Sequence, residues 1–249
     1  GTNAGTWEIN QVLAVNGTSL QLLKALESNY ATTGPAKAQV VLAASFGQLE
    51  VVSGGQVRAA EPLAADGSKG GIVYIRANKV TVKSGGRIIA DGVGFHPGAM
   101  GKPAGAGGSE CGAGAGAGTT DANCAGGGGA TQPCGTAGGG ANMEAGEDGV
   151  TDPACGNVGE GGEPHGDDQL NTLQFGGGGG STQYRVGGKG GGIVVIGAQT
   201  FIVQEGGEVT ADGTPGVGGG AGGGAGGSVV VYTDQYQVTG DVSADGGAG

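Results

Sequence analysis

A 23-residue pattern occurs twice in this chain without a gap and a third time in shortened form. Gly70 to Gly92 reads GGIVYIRANKVTVKSGGRIIADG, and Gly191 to Gly213 reads GGIVVIGAQTFIVQEGGEVTADG. Gly226 to Gly246, GGSVVVYTDQYQVTGDVSADG, is two residues shorter at its central glycine. A partial copy lies upstream, where Val51-Val52-Ser53-Gly54-Gly55-Gln56-Val57 matches Val82 to Ile88. Such self-similarity is the mark of stacked supersecondary units, each unable to bury its apolar residues alone.

Every copy holds three short β-branched or apolar runs, for example Ile193–Ile196, Thr200–Val203 and Glu208–Ala211. A polar turn and a Gly-Gly corner separate them, and an Asp-Gly turn follows. Runs of this length read as strands too short to stand alone. Stacking pairs each with its counterpart in the next copy and lines up the inward Ile and Val side chains. The expected fold is all-β, a right-handed parallel β-helix (solenoid) with three strands per coil. A sandwich would instead call for two-residue hairpins between its strands.

Residues 93–190 interrupt the repeats with a glycine-rich insertion, and Thr214 to Ala225 form a shorter one. Glycine supplies 65 of the 249 residues without the strict triplet of collagen. These segments have few side chains to bury, which leaves two fates. They are flexible linkers, or they are packed polyglycine strands, threefold helices bonded side by side because no Cβ keeps the backbones apart.

The four cysteines, Cys111, Cys124, Cys134 and Cys155, all fall in the long insertion with no CxxC pair. They read as two disulfides stapling the insert, with sequential pairing favoured among three connectivities. Each would contribute about 2–4 kcal/mol by limiting the unfolded state, and would place the protein outside the cytoplasm. Staples favour the packed-strand reading over the linker.

The N-terminal segment reads differently. Gln11–Val15 and Ser19–Leu22 flank Asn16-Gly17-Thr18, a hairpin signal. A helix over 19–28, with Leu20, Leu23 and Leu26 on one face, is the weaker alternative. The expected organisation is a hairpin or cap over 1–36, first coils over 37–92, the insert over 93–190 and further coils over 191–249. A cap would cover an open coil end.

Chemistry-bearing residues are few. The net charge of −11 offers no favourable field to nucleic acid or an anionic membrane, and no apolar stretch is long enough for a membrane span. No leader is visible in the sequence, which reads as a mature or trimmed start. Glu163, Asp167 and Asp168 beside His165 form the densest acidic patch. It is a weak calcium candidate, the only cofactor in view, and more simply a solvated loop. Asp91, Asp212 and Asp245 end the copies in Ala-Asp-Gly, as Asp66 does in another such triplet. They read as turn-forming residues bonding their own backbone, with a calcium ladder as the sharper alternative. His96 lies beside a proline. Trp7 is the sole tryptophan, and so few aromatics do not indicate a strong lectin site, although Tyr184, Tyr232 and Tyr236 could contribute to one. No catalytic motif occurs, and no enzyme is expected.

Gly5-Thr6-Trp7-Glu8-Ile9, the Val15–Leu20 turn and Ala38–Val41, followed by the coil motif and glycine tracts, resemble large secreted bacterial glycine-rich surface proteins. The similarity runs over most of the chain on degenerate motifs. Packed glycine strands are also similar to those of bacteriophage tail-tip adhesins. The resemblance implies an extracellular, adhesin-like or matrix protein and transfers no catalytic residues. The expected role is structural or adhesive, by self-association through open coil ends or by holding a cell-surface or matrix ligand. The alternative is a carbohydrate-binding or polysaccharide-degrading β-helix protein.

Overall fold

The computed structural model describes residues 6–30, 38–61, 70–99, 114, 125–130, 135–150 and 158–249. These residues are all-β, without a helix, and most of the sheet is parallel. Strands β1 (Val12–Asn16) and β2 (Ser19–Leu22) form the expected antiparallel hairpin, with Gly17 at a φ of 61° in its turn. The helix alternative over 19–28 is thereby set aside.

From β3 onward the chain alternates between two parallel sheets. β3 (Ala44–Val51), β5 (Ile72–Val82), β7 (Ile193–Val203) and β9 (Ser228–Val238) lie side by side in that order. β4 (Gln56–Arg58), β6 (Arg87–Ile89), β8 (Glu208–Thr210) and β10 (Asp241–Ser243) form the second sheet in the same order. Equivalent positions of the repeat are partners: Ile72 with Ile193 and Ser228, Ile88 with Val209 and Val242.

The expectation of three strands per copy is corrected to two. The first two runs join into one eleven-residue strand, and the polar turn between them survives as a local irregularity. The ladder skips one column, Gly47, Asn78, Gln199 and Asp234, in every coil. Buried positions therefore shift from Val73, Ile75 and Ala77 to Val80 and Val82. A straight strand would place Ala77 and Val80 on opposite faces; both belong to one core because the strand bends at Asn78.

The space between the sheets is filled by aliphatic columns. Val80, Val82, Ile88, Val194, Ile196, Val203 and Val209 are fully buried. Where a Gly-Gly corner is present the chain turns in the same way: Gly55 donates to Val52 O, Gly86 to Lys83 O and Gly207 to Gln204 O, all at 2.8 Å. At the shorter Thr239-Gly240 corner both amides donate to Val203 O instead. Gly54, Gly85 and Gly206 hold φ between 73° and 76°, a left-handed conformation glycine adopts without strain. On the outer face, Leu173 packs with Ile193, Val195 and Val230, and Trp7, Ile72, Tyr74, Leu170 and Phe175 close around them.

The glycine segments are joined by backbone hydrogen bonds whose direction repeats every third residue. Gly138 and Ala141 donate to Gly128 and Ala125. Between them, Gly139 donates to Glu147 and Gly140 to Gly223. Gly177 and Gly180 donate to Ala141 and Gly138, while Gly176 and Gly179 donate to Gly191 and Gly188. Gly222 and Ala225 turn to Gly180 and Gly177, and Gly146 and Gly149 to Gly162 and Gly159. A three-residue repeat is that of an extended threefold helix, which has no internal hydrogen bonds and offers its amides outward in three directions. Backbones come so close that a methyl on Gly180 would run into the Gly128 carbonyl, and one on Gly222 into that of Gly138.

Candidate functional site

The direction of the chain fixes the two ends of the glycine bundle. Gly190–Gly192 run directly into β7 and Gly226–Gly227 into β9, so those residues mark the end next to the sheets. The pairing of Gly177 with Ala141 and of Gly180 with Gly138 puts residues 135–138 and 180–186 at the opposite, distal end.

Four connecting segments meet at the distal end. Val150 exchanges hydrogen bonds with the Thr136 hydroxyl through both its N–H and its carbonyl. Ala137 donates to Gly220 O at 2.8 Å, Val217 to Val186 O at 2.9 Å, and Gly159 to Thr136 O at 2.9 Å. Thr182 donates to Arg185 O, closing the 182–185 turn, and the Arg185 guanidinium lies against Gly218. Three apolar side chains point outward from these turns: Val150 is 74%, Tyr184 64% and Val217 63% exposed. In a chain with only 4% aromatics and a sparse aliphatic complement, three such residues on neighbouring turns form the most distinctive surface of the bundle. Beneath them the buried Ser181 hydroxyl donates to Gly98 O and accepts the Gly187 N–H at 2.9 Å, fixing the turn from below.

At the end next to the sheets, polar side chains tie the bundle to the coils. The Asn142 amide donates to Gly226 O at 2.9 Å and Gly227 O at 2.7 Å. Ser228 donates to Gln174 O at 2.8 Å. His165 donates from Nε2 to Phe175 O at 3.1 Å, and Phe175 meets Phe95 edge-on at 6.0 Å. Burial holds the His165 pKa below its usual value, against the opposing pull of the Phe175 carbonyl. His96 is lowered too, by burial first and then by the Lys189 charge.

The three Asp-Gly turns stack, with a correction to how they bond. The Asp91 carboxylate accepts the Asp212 N–H at 3.0 Å, and the Asp212 carboxylate accepts the Asp245 N–H at 2.7 Å. Asp91 and Asp212 thus bond the backbone of the next coil rather than their own. Asp212 also accepts from the Ser243 hydroxyl at 2.9 Å. Its pKa is raised, chiefly by burial and further by the Asp91 and Asp245 charges, against the hydrogen bonds it accepts. Asp66 lies outside the described residues.

The acidic patch is organised by one residue. Asp167 accepts the N–H groups of Gln169 at 2.9 Å and Asn171 at 3.1 Å, and these bonds lower its pKa. Its own carbonyl accepts the Leu170 N–H. Glu163 and Asp168 are exposed. Among the described residues no three His, Cys, Asp or Glu side chains gather closely enough to hold a metal ion. Cys111, Cys124, Cys134 and Cys155 lie outside the described residues.

The aromatic residues are dispersed. Trp7 meets Tyr232 at 6.2 Å on the outer face of the long sheet. Tyr236 occupies the inward column of Leu49, Val80 and Phe201, and Tyr184 is at the distal end of the bundle. The distal surface escaped the sequence reading because glycine runs do not encode which turns become neighbours. The apolar residues Val150, Tyr184 and Val217 within polar loops were its only signal.

No helix among the described residues is long and apolar enough to cross a membrane. Comparison with protein-family models, curated proteins and solved structures gave no match.

Proposed function

We propose that the protein is an extracellular structural or adhesive surface protein, not an enzyme. The two-sheet stack is a right-handed parallel β-helix acting as a stiff stalk. The glycine insert is a packed polyglycine bundle that holds its distal turns out for contact with a cell-surface or matrix ligand. The observation carrying this reading is the exposed Val150, Tyr184 and Val217 on turns locked together by backbone bonds. A rigid, partly apolar surface loses little conformational entropy on binding, and its tyrosine adds an amphipathic contact. Two disulfides among the four cysteines of the insert would fit the same setting.

The test is binding of the labelled protein to arrays of glycans and matrix proteins and to intact cells, beside a variant with V150S, Y184S and V217S. Binding that the triple variant loses, with an unchanged melting curve, supports the reading. Binding that the variant retains, or turnover of an acidic polysaccharide by the wild type, overturns it.

A further inference from the structure

The two outer edges of the coil stack are unlike the middle. Among the described residues, β3 and β9 have a strand on one side only, as do β4 and β10. The hairpin β1–β2 pairs with itself and with neither edge. Several inward positions that are buried in the middle coils are open at the edges, although Val51 at the β3 edge is itself buried, at 4% exposed. At the β9 and β10 edge, Tyr236 is 77%, Val238 40% and Val242 37% exposed. Their partners Phe201, Val203 and Val209 are buried at 2%, 0% and 0%. At the β3 edge, Phe46 is 42% exposed, whereas Ala77 in its column is 8% exposed.

We infer that the occupant of each open edge is the opposite edge of a second copy of this chain. The coil-to-coil interface already occurs three times within the molecule, always parallel and always in the same register. Extending that register by one step places β9 of one copy beside β3 of the next. Tyr236 then continues onto Leu49, Val238 onto Val51, and Val242 onto Val57, so that all three inward columns stay apolar. The bulky Phe46 comes opposite the smaller Thr233, and Gln235 opposite Gln48, a pair suited to an amide ladder. Asp245 would offer its carboxylate to the next backbone amide as Asp91 and Asp212 already do. In the shorter sheet Ser243 comes opposite the exposed Arg58, setting the acidic end by Asp241 and Asp245 near a cation. The two surfaces differ and cannot pair by a twofold axis, so the contact is heterologous and propagates as an open filament. Unpaired strand edges supply the backbone hydrogen bonds.

This inference rests on the coil-stack reading but not on the distal surface, and the experiment separates the two. Sedimentation velocity and electron microscopy would follow the full chain up to about 0.1 mM. One tail variant carries Y236D and V238D, one head variant carries F46D, and V242D serves as a second tail variant should the first fail to fold. The wild type is expected to form linear oligomers that lengthen with concentration. Each variant alone should associate at least about tenfold more weakly. Mixed together, tail and head variants still share one intact pair of edges and should form a dimer that does not grow. The V150S, Y184S, V217S triple variant should assemble like the wild type, whatever becomes of its binding. A wild type that stays monomeric, variants that assemble normally, or a mixture without dimers would overturn the inference.

Discussion

The coil stack and the glycine bundle share one chain and one set of hydrogen-bonding groups, yet they exclude water by opposite means. In the stack, side chains do the excluding: Val80, Ile88, Val194, Ile196 and Val209 fill the gap between two sheets. In the bundle, backbones lie so close that a methyl at the contacting glycines would hold them apart. Beyond a few small side chains such as Ala125, Ala141 and Ala221, it is the peptide groups that are buried there. The first region gains from apolar burial, which is tolerant of backbone detail. The second relies on satisfying every buried amide, where one missing partner is costly. The stack therefore suffers chiefly from deletions in its core. Where a glycine of the bundle faces a neighbouring carbonyl, nothing larger than hydrogen fits.

The largest expected effect tests the stack. Ile196→Ala removes a fully buried side chain and should cost about 2–5 kcal/mol in chemical denaturation. A smaller loss would mean that the two sheets collapse to fill the cavity.

The next compares neighbouring glycines in one run. Gly140→Ala puts a methyl into the Gly177 carbonyl and should cost about 1–3 kcal/mol. Gly139→Ala, whose nearest neighbour is 3.5 Å away, should change stability by about 0.5 kcal/mol or less. Equal effects at both positions would refute the threefold packing.

Acidification should act on the joint between the regions. His165 and His96 both have folded pKa values below the ordinary value near 6.5. Above that pH both states are neutral and nothing is lost. As pH falls through it the unfolded state gains protons first, so stability declines towards the lowered folded values. His165→Gln should flatten this decline in melting curves taken between pH 7 and pH 5.

The smallest effect belongs to the aspartate stack. Asp212 has a raised pKa, so its contribution is most favourable when protonated and is lost as pH rises through its folded value. Asp212→Asn keeps an oxygen for the Asp245 N–H and Ser243 and removes the repulsion from Asp91. At neutral pH it should stabilise by about 0.5 kcal/mol or less, because the carboxylate is only partly buried and solvent screens the repulsion.

The repeat was legible because side chains encoded it. Ile72–Ile75 and Ile193–Ile196 stand side by side as the pattern demands, and the corner glycines fall at matched turns. The joining of two runs into one strand was not legible, since a polar Arg76-Ala77-Asn78-Lys79 reads as a break. The ladder passes through it because a one-residue irregularity repeated in every coil keeps the neighbours in step. Asp91 and Asp212 were read as turn residues for local reasons, while their carboxylates serve the next coil, a partner more than thirty residues away. In the bundle the choice of neighbour leaves no trace in a run of identical glycines. The order comes from where the flanking strands deliver each segment.

The period of three in the bundle also sets a rule for how such a segment can change length. Adding one residue to a run turns every later amide by a third of a circle, toward the wrong neighbour. Adding three restores each direction and lengthens the rod by about 9 Å. Size variants of this insert that remain folded are therefore those that grow or shrink by whole triplets, so that the reach of the distal surface is adjustable in steps.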